Sequence, residues 1–224
     1  MISTWNIAGP DGTTSQELLV AFDRDRTTRL LVCPAWFDEA NKLRRFTVEA
    51  MRRLDSAGID SFLPDLPGCN DSLAPTALQT LAGWRAGMET AARIFGATHV
   101  LAIRAGALLV PEHLPGWHYA AQSGPKLLRG MIRARTIAAR EAGREEKAEA
   151  LMALGRTEGL MLGGWQLGAG LIRDLETAEP VLAKGQSDIA QNRLGGPGLW
   201  LRAEPDEDSA QADSLAAIIT EAAG

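Results

Sequence analysis

This sequence of 224 residues predicts an α/β fold with a mainly parallel sheet, and three observations carry that prediction. Strand-like apolar runs alternate with amphipathic helical stretches along the chain, the pattern of helices packed on a parallel sheet. One run, His99-Val100-Leu101-Ala102-Ile103, is apolar without alternation and partly β-branched, as a strand covered on both faces must be. It leads straight into Arg104-Ala105-Gly106-Ala107 with a further apolar segment behind it. Strand, small-residue turn, helix is the context of a nucleophile elbow, whose usual form is G-x-S-x-G. In that frame Ala102 takes the first glycine position, Gly106 the last, and Arg104 stands where the nucleophile belongs. A guanidinium stays protonated at neutral pH and does no nucleophilic work.

The elements follow in order. Residues 3–8 and 17–23 are short apolar runs around a Gly/Pro-containing polar turn, PDGTTSQ, a hairpin signal. RLLVC (Arg29–Cys33) is the next strand. A helix is predicted over 38–55, with Phe46, Ala50, Met51 and Leu54 on one face and Gly58 as its stop. IDSFL, residues 59–63, is a strand that runs into a loop too rich in Pro and Gly to be helical. A helix over 76–95 carries the stripe Leu78, Leu81, Ala82, Met88, Ala92 and Phe95. After the elbow, Pro111 and Pro115 leave room for about two helical turns. WHYAA, residues 117–121, is a strand. Residues 126–154 are helical and strongly charged, with a break at Gly143. A short strand or turn and a helix over 168–178 come next. Residues 180–198 are weakly patterned and read as loop, 199–202 (LWLR) as a last strand, and 213–222 as a closing amphipathic helix.

Composition narrows the function classes. Hydrophobic residues make up 46% and charged residues 23%, as in a globular domain able to bury a full core. A net charge of −5 argues against a general nucleic-acid binder. There is no apolar run long enough to span a membrane. The opening MISTWNIAGPDG lacks a basic region followed by an apolar one, so no secretory signal is expected. Two cysteines and three histidines fall at no metal-ligand spacing. A reduced, cytoplasmic protein with no metal and no cofactor is the expectation.

FDEANKLRR (37–45), DLPGCNDS (65–72), the Arg-containing elbow AIRAGA (102–107), WHYAAQSGPK (117–126) and the closing GPGLWLRAEPDEDSAQADSLAA resemble the exosortase A system-associated hydrolases of type 2. The similarity runs from about residue 30 to 178 and from 196 to the end, and the E-x-N-K-x-R-R element and the Arg elbow are its most specific parts. The resemblance implies an α/β-hydrolase-like three-layer fold with an N-terminal hairpin, a single domain over 1–224, and a helical cap-like insertion at 124–156. It places the chain beside bacterial exosortase and exopolysaccharide functions and supplies no substrate. The chain departs from the family in two places: the helix after the elbow is cut short, and 178–196 is too short for the usual seventh strand and its catalytic-acid loop.

A serine hydrolase needs a nucleophile at the elbow, a histidine after the last strand and an acid to orient it. Arg104 fills the first place, and no histidine follows His118. In this fold the strands ending at Cys33 and Asp65 lie side by side with the elbow strand next to the former, so their C-terminal loops share the ligand crevice. That gathers Glu39, Asn41, Lys42, Asp71, Arg104 and Ala105 as crevice or ligand-binding candidates. Cys69 is the one weak candidate for catalysis, a thiolate favoured by nearby cations, against a small buried thiol in a turn. Arg104 either pairs with Glu39 or Asp71 as a buried ion pair or offers its fork to an anion, with the Ala105 N–H as a further donor. The cations of NKLRR oppose the dipole at a helix start unless acids or a ligand compensate.

Two readings follow. The first is a non-catalytic binder of a small anionic ligand or of an exosortase/exopolysaccharide pathway protein. The alternative is an ester or thioester hydrolase or acyltransferase working through Cys69. The helices of the insertion serve either as a lid or as a homo-oligomer contact.

Overall fold

The computed structural model describes residues 1–8 and 14–223. Nine strands and six helices are assigned among them. Seven strands form one sheet in the order β1 (Ile2–Ala8), β2 (Thr14–Phe22), β4 (Asp60–Pro64), β3 (Arg29–Cys33), β5 (His99–Ile103), β6 (Gly116–Tyr119), β9 (Gln186–Ile189). The pairs β1–β2 and β2–β4 are antiparallel, and every pair from β4 to β9 is parallel. The central strands end together, with Cys33 opposite Ala102 and Ile103 opposite Tyr119. That alignment fixes the edge on which a ligand crevice is built.

Successive side chains of a strand point to opposite faces, and here both faces are covered. Leu31, Cys33, Val100 and Ala102 enter one core with α2 (Leu81–Ile94) and α5 (Ala169–Leu175); Leu30, Val32, Leu101 and Ile103 enter the other with α1 (Phe37–Ser56) and α6 (Ser209–Ala223). This is why HVLAI carries no polar alternation. Helix α1 buries Leu43, Phe46, Ala50, Met51 and Leu54 at about one-turn spacing, each of the four larger side chains contributing about 1.5–3 kcal/mol on leaving water. The charged segment folds as α3 (Gly124–Glu141) and α4 (Ala148–Glu158), broken at Gly143, whose φ is +71°. Behind it, β7 (Leu160–Leu162) and β8 (Trp165–Leu167) form a small separate hairpin.

Four expectations are corrected. Residues 180–198 are not all loop: Gln186–Ile189 joins β6 as the seventh strand, so the segment is long enough to hold it. Only Ile189 of β9 is buried, and an edge strand of mostly polar residues shows no apolar signal. The expected last strand is a single 3₁₀ turn, Leu199–Leu201. The helix over 76–95 is split by extended Gln79 and Thr80 into a turn at Thr76–Leu78 and α2, capped by the Thr80 hydroxyl, which leaves Leu78 exposed. The hairpin strand begins at Thr14, three residues earlier than its apolar run, and the Pro10-to-Thr13 part of the expected turn lies outside the described residues.

Candidate functional site: the crevice at the elbow

β5 ends at Ile103, and the next residue turns sharply: Arg104 has φ +55°, a left-handed conformation that costs a side-chain-bearing residue about 1–2 kcal/mol. A single 3₁₀ turn, Arg104–Leu108, follows in place of a longer helix. Gly106 lets this turn sit against the end of β3, because a Cβ there would lie 2.3 Å from the Cys33 carbonyl oxygen. Three other non-glycine residues with positive φ lie beyond the C-terminal ends of neighbouring strands: Phe37 after β3, Asn70 after β4 and Ala120 after β6. Backbone strain collected at one edge of a sheet is the usual mark of a site.

The Arg104 side chain spans that edge. Its Nε and Nη2 donate to the two oxygens of Glu39 at 2.9 and 3.0 Å, a bidentate pair, and its Nη1 donates to the Ala120 carbonyl at 2.7 Å. Its guanidinium stacks 4.0 Å from the ring centre of Trp200. Of the two acids considered for Arg104, Glu39 is the partner; Asp71 is exposed and elsewhere. The backbone oxygen of Arg104 accepts from the Gln122 N–H at 3.2 Å, so the elbow residue is tied to α1 and to the loop after β6 at once.

The cations of NKLRR are each met by an acid. Lys42 Nζ lies 2.8 Å from Asp38, Arg44 bonds Asp65, and Arg45 lies 3.3 Å from Glu207. The helix start is therefore compensated by the chain itself. Cys69 is buried, and burial, with the charges of Asp65 and Glu17 adding, pushes its thiol well above the ordinary range. A thiol in that state holds its proton at neutral pH. Burial does the same to Cys33.

None of the three histidines bonds Cys69 or Arg104 among the described residues. His118 is buried within β6 with its Nε2 on Gln186 Oε1 at 3.1 Å, His113 faces Glu89 at the surface, and His99 stacks on Trp117. The loop after β9, where a catalytic acid would sit, presents the amide Gln191, which accepts from the Tyr119 hydroxyl. Among the described residues no three His, Cys, Asp or Glu side chains gather to hold a metal ion.

The predicted crevice is divided in two by Phe37 and Trp165, whose ring centres are 5.5 Å apart. On one side lies a cavity of about 350 Å³ walled by Trp36, Phe37, Trp165 and Trp200, with Glu39 and Gln122 among its polar residues and Leu127 and Met131 of α3 opposite. On the other lies a cavity of about 480 Å³ that holds Asn41 and Asp71 together with Arg44 and Asp65. Lys42 and Ala105 line neither. The residues that sequence reasoning did not single out are Trp165, Trp200 and Gln122, which come from a hairpin, a turn and a loop far apart in the chain.

The mostly parallel central sheet and its flanking helices are matched by solved structures. "Putative hydrolase" from Agrobacterium vitis S4 superposes with a TM-score of 0.55 at 12% identity over 100% of both chains. The fold is that of the α/β-hydrolases. Mouse α/β-hydrolase domain-containing protein 10 gives a TM-score of 0.55 at 12% identity over 99% of this chain and 97% of its own. Est1E from Butyrivibrio proteoclasticus, solved with ferulic acid, gives 0.50 at 14% identity over 92% and 93%. At these identities the likeness concerns the fold. No family model matches the sequence, and no curated protein is similar to it. Among the described residues, no helix of this α/β-hydrolase fold is long and apolar enough to cross a membrane.

Proposed function

We propose that this chain is a non-catalytic α/β-hydrolase-like protein that binds a ligand in the aromatic cavity beside Arg104. One observation carries the reading: the residue at the nucleophile position is locked by Glu39, the Ala120 carbonyl and Trp200. A side chain held on three sides takes no part in acyl transfer, and the histidine and acid of a triad have no counterparts around it.

The cavity also bears on what is bound. Glu39 matches the Arg104 charge, and the remaining charged wall residue is Asp38, so the ligand favoured here is neutral rather than anionic. A ligand with a flat apolar face would lie against the wall of Trp36, Phe37, Trp165 and Trp200. The helices of residues 124–156 act as its cap, since α3 supplies Leu127, Gly130, Met131 and Ala134 to the wall. The resemblance to exosortase-associated hydrolases supports a ligand or partner from that bacterial system, in the cytoplasm.

The test is an assay of the purified protein and its Cys69→Ala and Arg104→Ser variants on short-chain aryl esters and thioesters. No turnover above the protein-free rate is expected from any of them. Arg104→Ser is included because a hydroxyl without a histidine base gains nothing. Turnover by the wild type overturns the proposal, and its loss in Cys69→Ala would identify the thiol as the nucleophile.

A further inference from the structure

Strand β1 closes one end of the sheet, and its outer edge bonds no other strand among the described residues. The register shows which backbone groups that edge offers. Met1 and Ala21 exchange both main-chain bonds, and bonded pairs of an antiparallel ladder alternate with non-bonded ones. Ser3, Trp5 and Ile7 therefore bond β2, while Ile2, Thr4, Asn6 and Ala8 turn their N–H and C=O groups outward. An open strand edge is a template for another strand, and proteins blunt it with charge, proline, a bulge or shortness. β1 uses none of these. ISTWNIA holds no charged residue and no proline, its register runs unbroken through seven pairs, and Ile2 is 71% exposed. The opposite edge is guarded: β9 has four residues, one of them the exposed Asp188.

We infer that β1 is the edge through which two copies of this chain associate, their β1 strands paired antiparallel about a two-fold axis so that two sheets become one. Three features select a second copy as the occupant. The first is charge: a strand paired with itself sets like charges close together, which destabilises the pair, and β1 carries none. The second is register. With Trp5 on the axis, Ile2 falls opposite Ala8 of the second copy and Thr4 opposite its Asn6, so every outward residue enters a bonded pair. That makes about eight main-chain hydrogen bonds, within the range of a protein interface. The exposed Thr4 and Asn6 side chains then lie side by side across the joint, where a hydroxyl and an amide bond each other. The third is closure. β9 is too short to take β1 along its length, so association stops at a closed pair instead of running on as a filament. β1 supplies no residue to either cavity, and the inference does not depend on what those cavities bind.

The experiment is sedimentation velocity of the full chain beside its Thr4→Lys, Thr4→Pro and Ile137→Lys variants. A dimer is expected to predominate in the wild type at about 100 μM, where a micromolar interface is nearly full. Thr4 is exposed and its N–H points outward, so neither substitution there removes a β1–β2 bond. Lysine brings like charges together across the axis, and proline deletes the outward donor while remaining acceptable on an edge strand. Each is expected to weaken the dimer at least about tenfold. Ile137→Lys, on the exposed face of α3, is expected to leave it unchanged. Amide hydrogen exchange locates the contact without any variant. As wild-type concentration rises, the amides of Ile2, Thr4, Asn6 and Ala8 are expected to slow, while those of Ser3, Trp5 and Ile7 are slow throughout. A wild-type monomer, which would leave the edge to a segment of another protein, overturns the assignment. So does a dimer lost in Ile137→Lys and kept in both Thr4 variants, or a dimer whose outward β1 amides still exchange fast.

Discussion

Truncating Arg104 separates two energies that act at one residue. Arg104→Ala removes the bidentate partner of Glu39, whose side chain is only 16% exposed, and keeps the left-handed backbone. Loss of one member of a largely buried pair is expected to cost about 3 kcal/mol. Arg104→Gly loses the same contacts but relieves φ +55°, so it should be about 1 kcal/mol more stable than the alanine variant. Arg104→Lys keeps the charge without the planar fork and should fall between wild type and alanine. Urea melts of the four proteins check the order, and an alanine variant as stable as wild type would show that the Arg104–Glu39 pair adds nothing to stability. Half of this was legible in sequence. The A-x-R-x-G spacing gave the elbow, and Glu39 was one of two acids within reach. Trp200 was not legible as its cover, because it arrives from a turn near the C-terminus that local pattern cannot connect to residue 104.

At the scale of elements, the close approach of the elbow turn to β3 is the most exacting packing in the sheet's active edge. Gly106→Ala would place a Cβ 2.3 Å from the Cys33 oxygen and 2.6 Å from that of Pro34, both backbone atoms that cannot rotate away. The expected cost is about 3 kcal/mol or more, from forced separation of β5 and β3, and a melt matching wild type would show that the turn has room. The parallel strands β3, β4 and β5 were readable because burial on both faces writes itself as a continuous apolar run. β9 was not, because it is an edge strand that buries Ile189 alone. The helix break at Gln79 was hidden for a different reason: Leu78 fits the apolar stripe by spacing, while tertiary packing leaves it outside. The two cavities were hidden as well, since the Phe37–Trp165 partition joins the start of α1 to a hairpin more than a hundred residues away.

For the molecule as a whole, acid should act in two stages. Salt-bridged carboxylates form the later one. Asp23 beside Arg29, Asp55 beside Arg26, Glu146 beside Arg135 and Glu176 beside Arg156 all hold their protons less tightly folded than unfolded. Their contribution is complete above the ordinary carboxylate range and is lost as pH falls below about 4. The earlier stage belongs to His118. Burial depresses its basicity, against smaller opposing effects of Gln186 and Asp188. The amide of Gln186 donates to the Pro111 and Leu114 carbonyls, which turns its oxygen toward His118 Nε2 and assigns the ring hydrogen to that nitrogen. Nδ1 is buried with no partner among the described residues, so a second proton there would create a donor with nothing to accept it. A histidine weakened in this way favours the folded state fully above its unfolded value of about 6.5 and loses that advantage as pH falls further. His99, also weakened by burial, adds in the same direction. Unfolding free energy is therefore expected to decline between pH 7.5 and 5.5, before the carboxylates titrate, and to decline less in His118→Gln, whatever that variant's stability at pH 7.5. Parallel slopes for the two proteins over that interval would remove His118 as the cause.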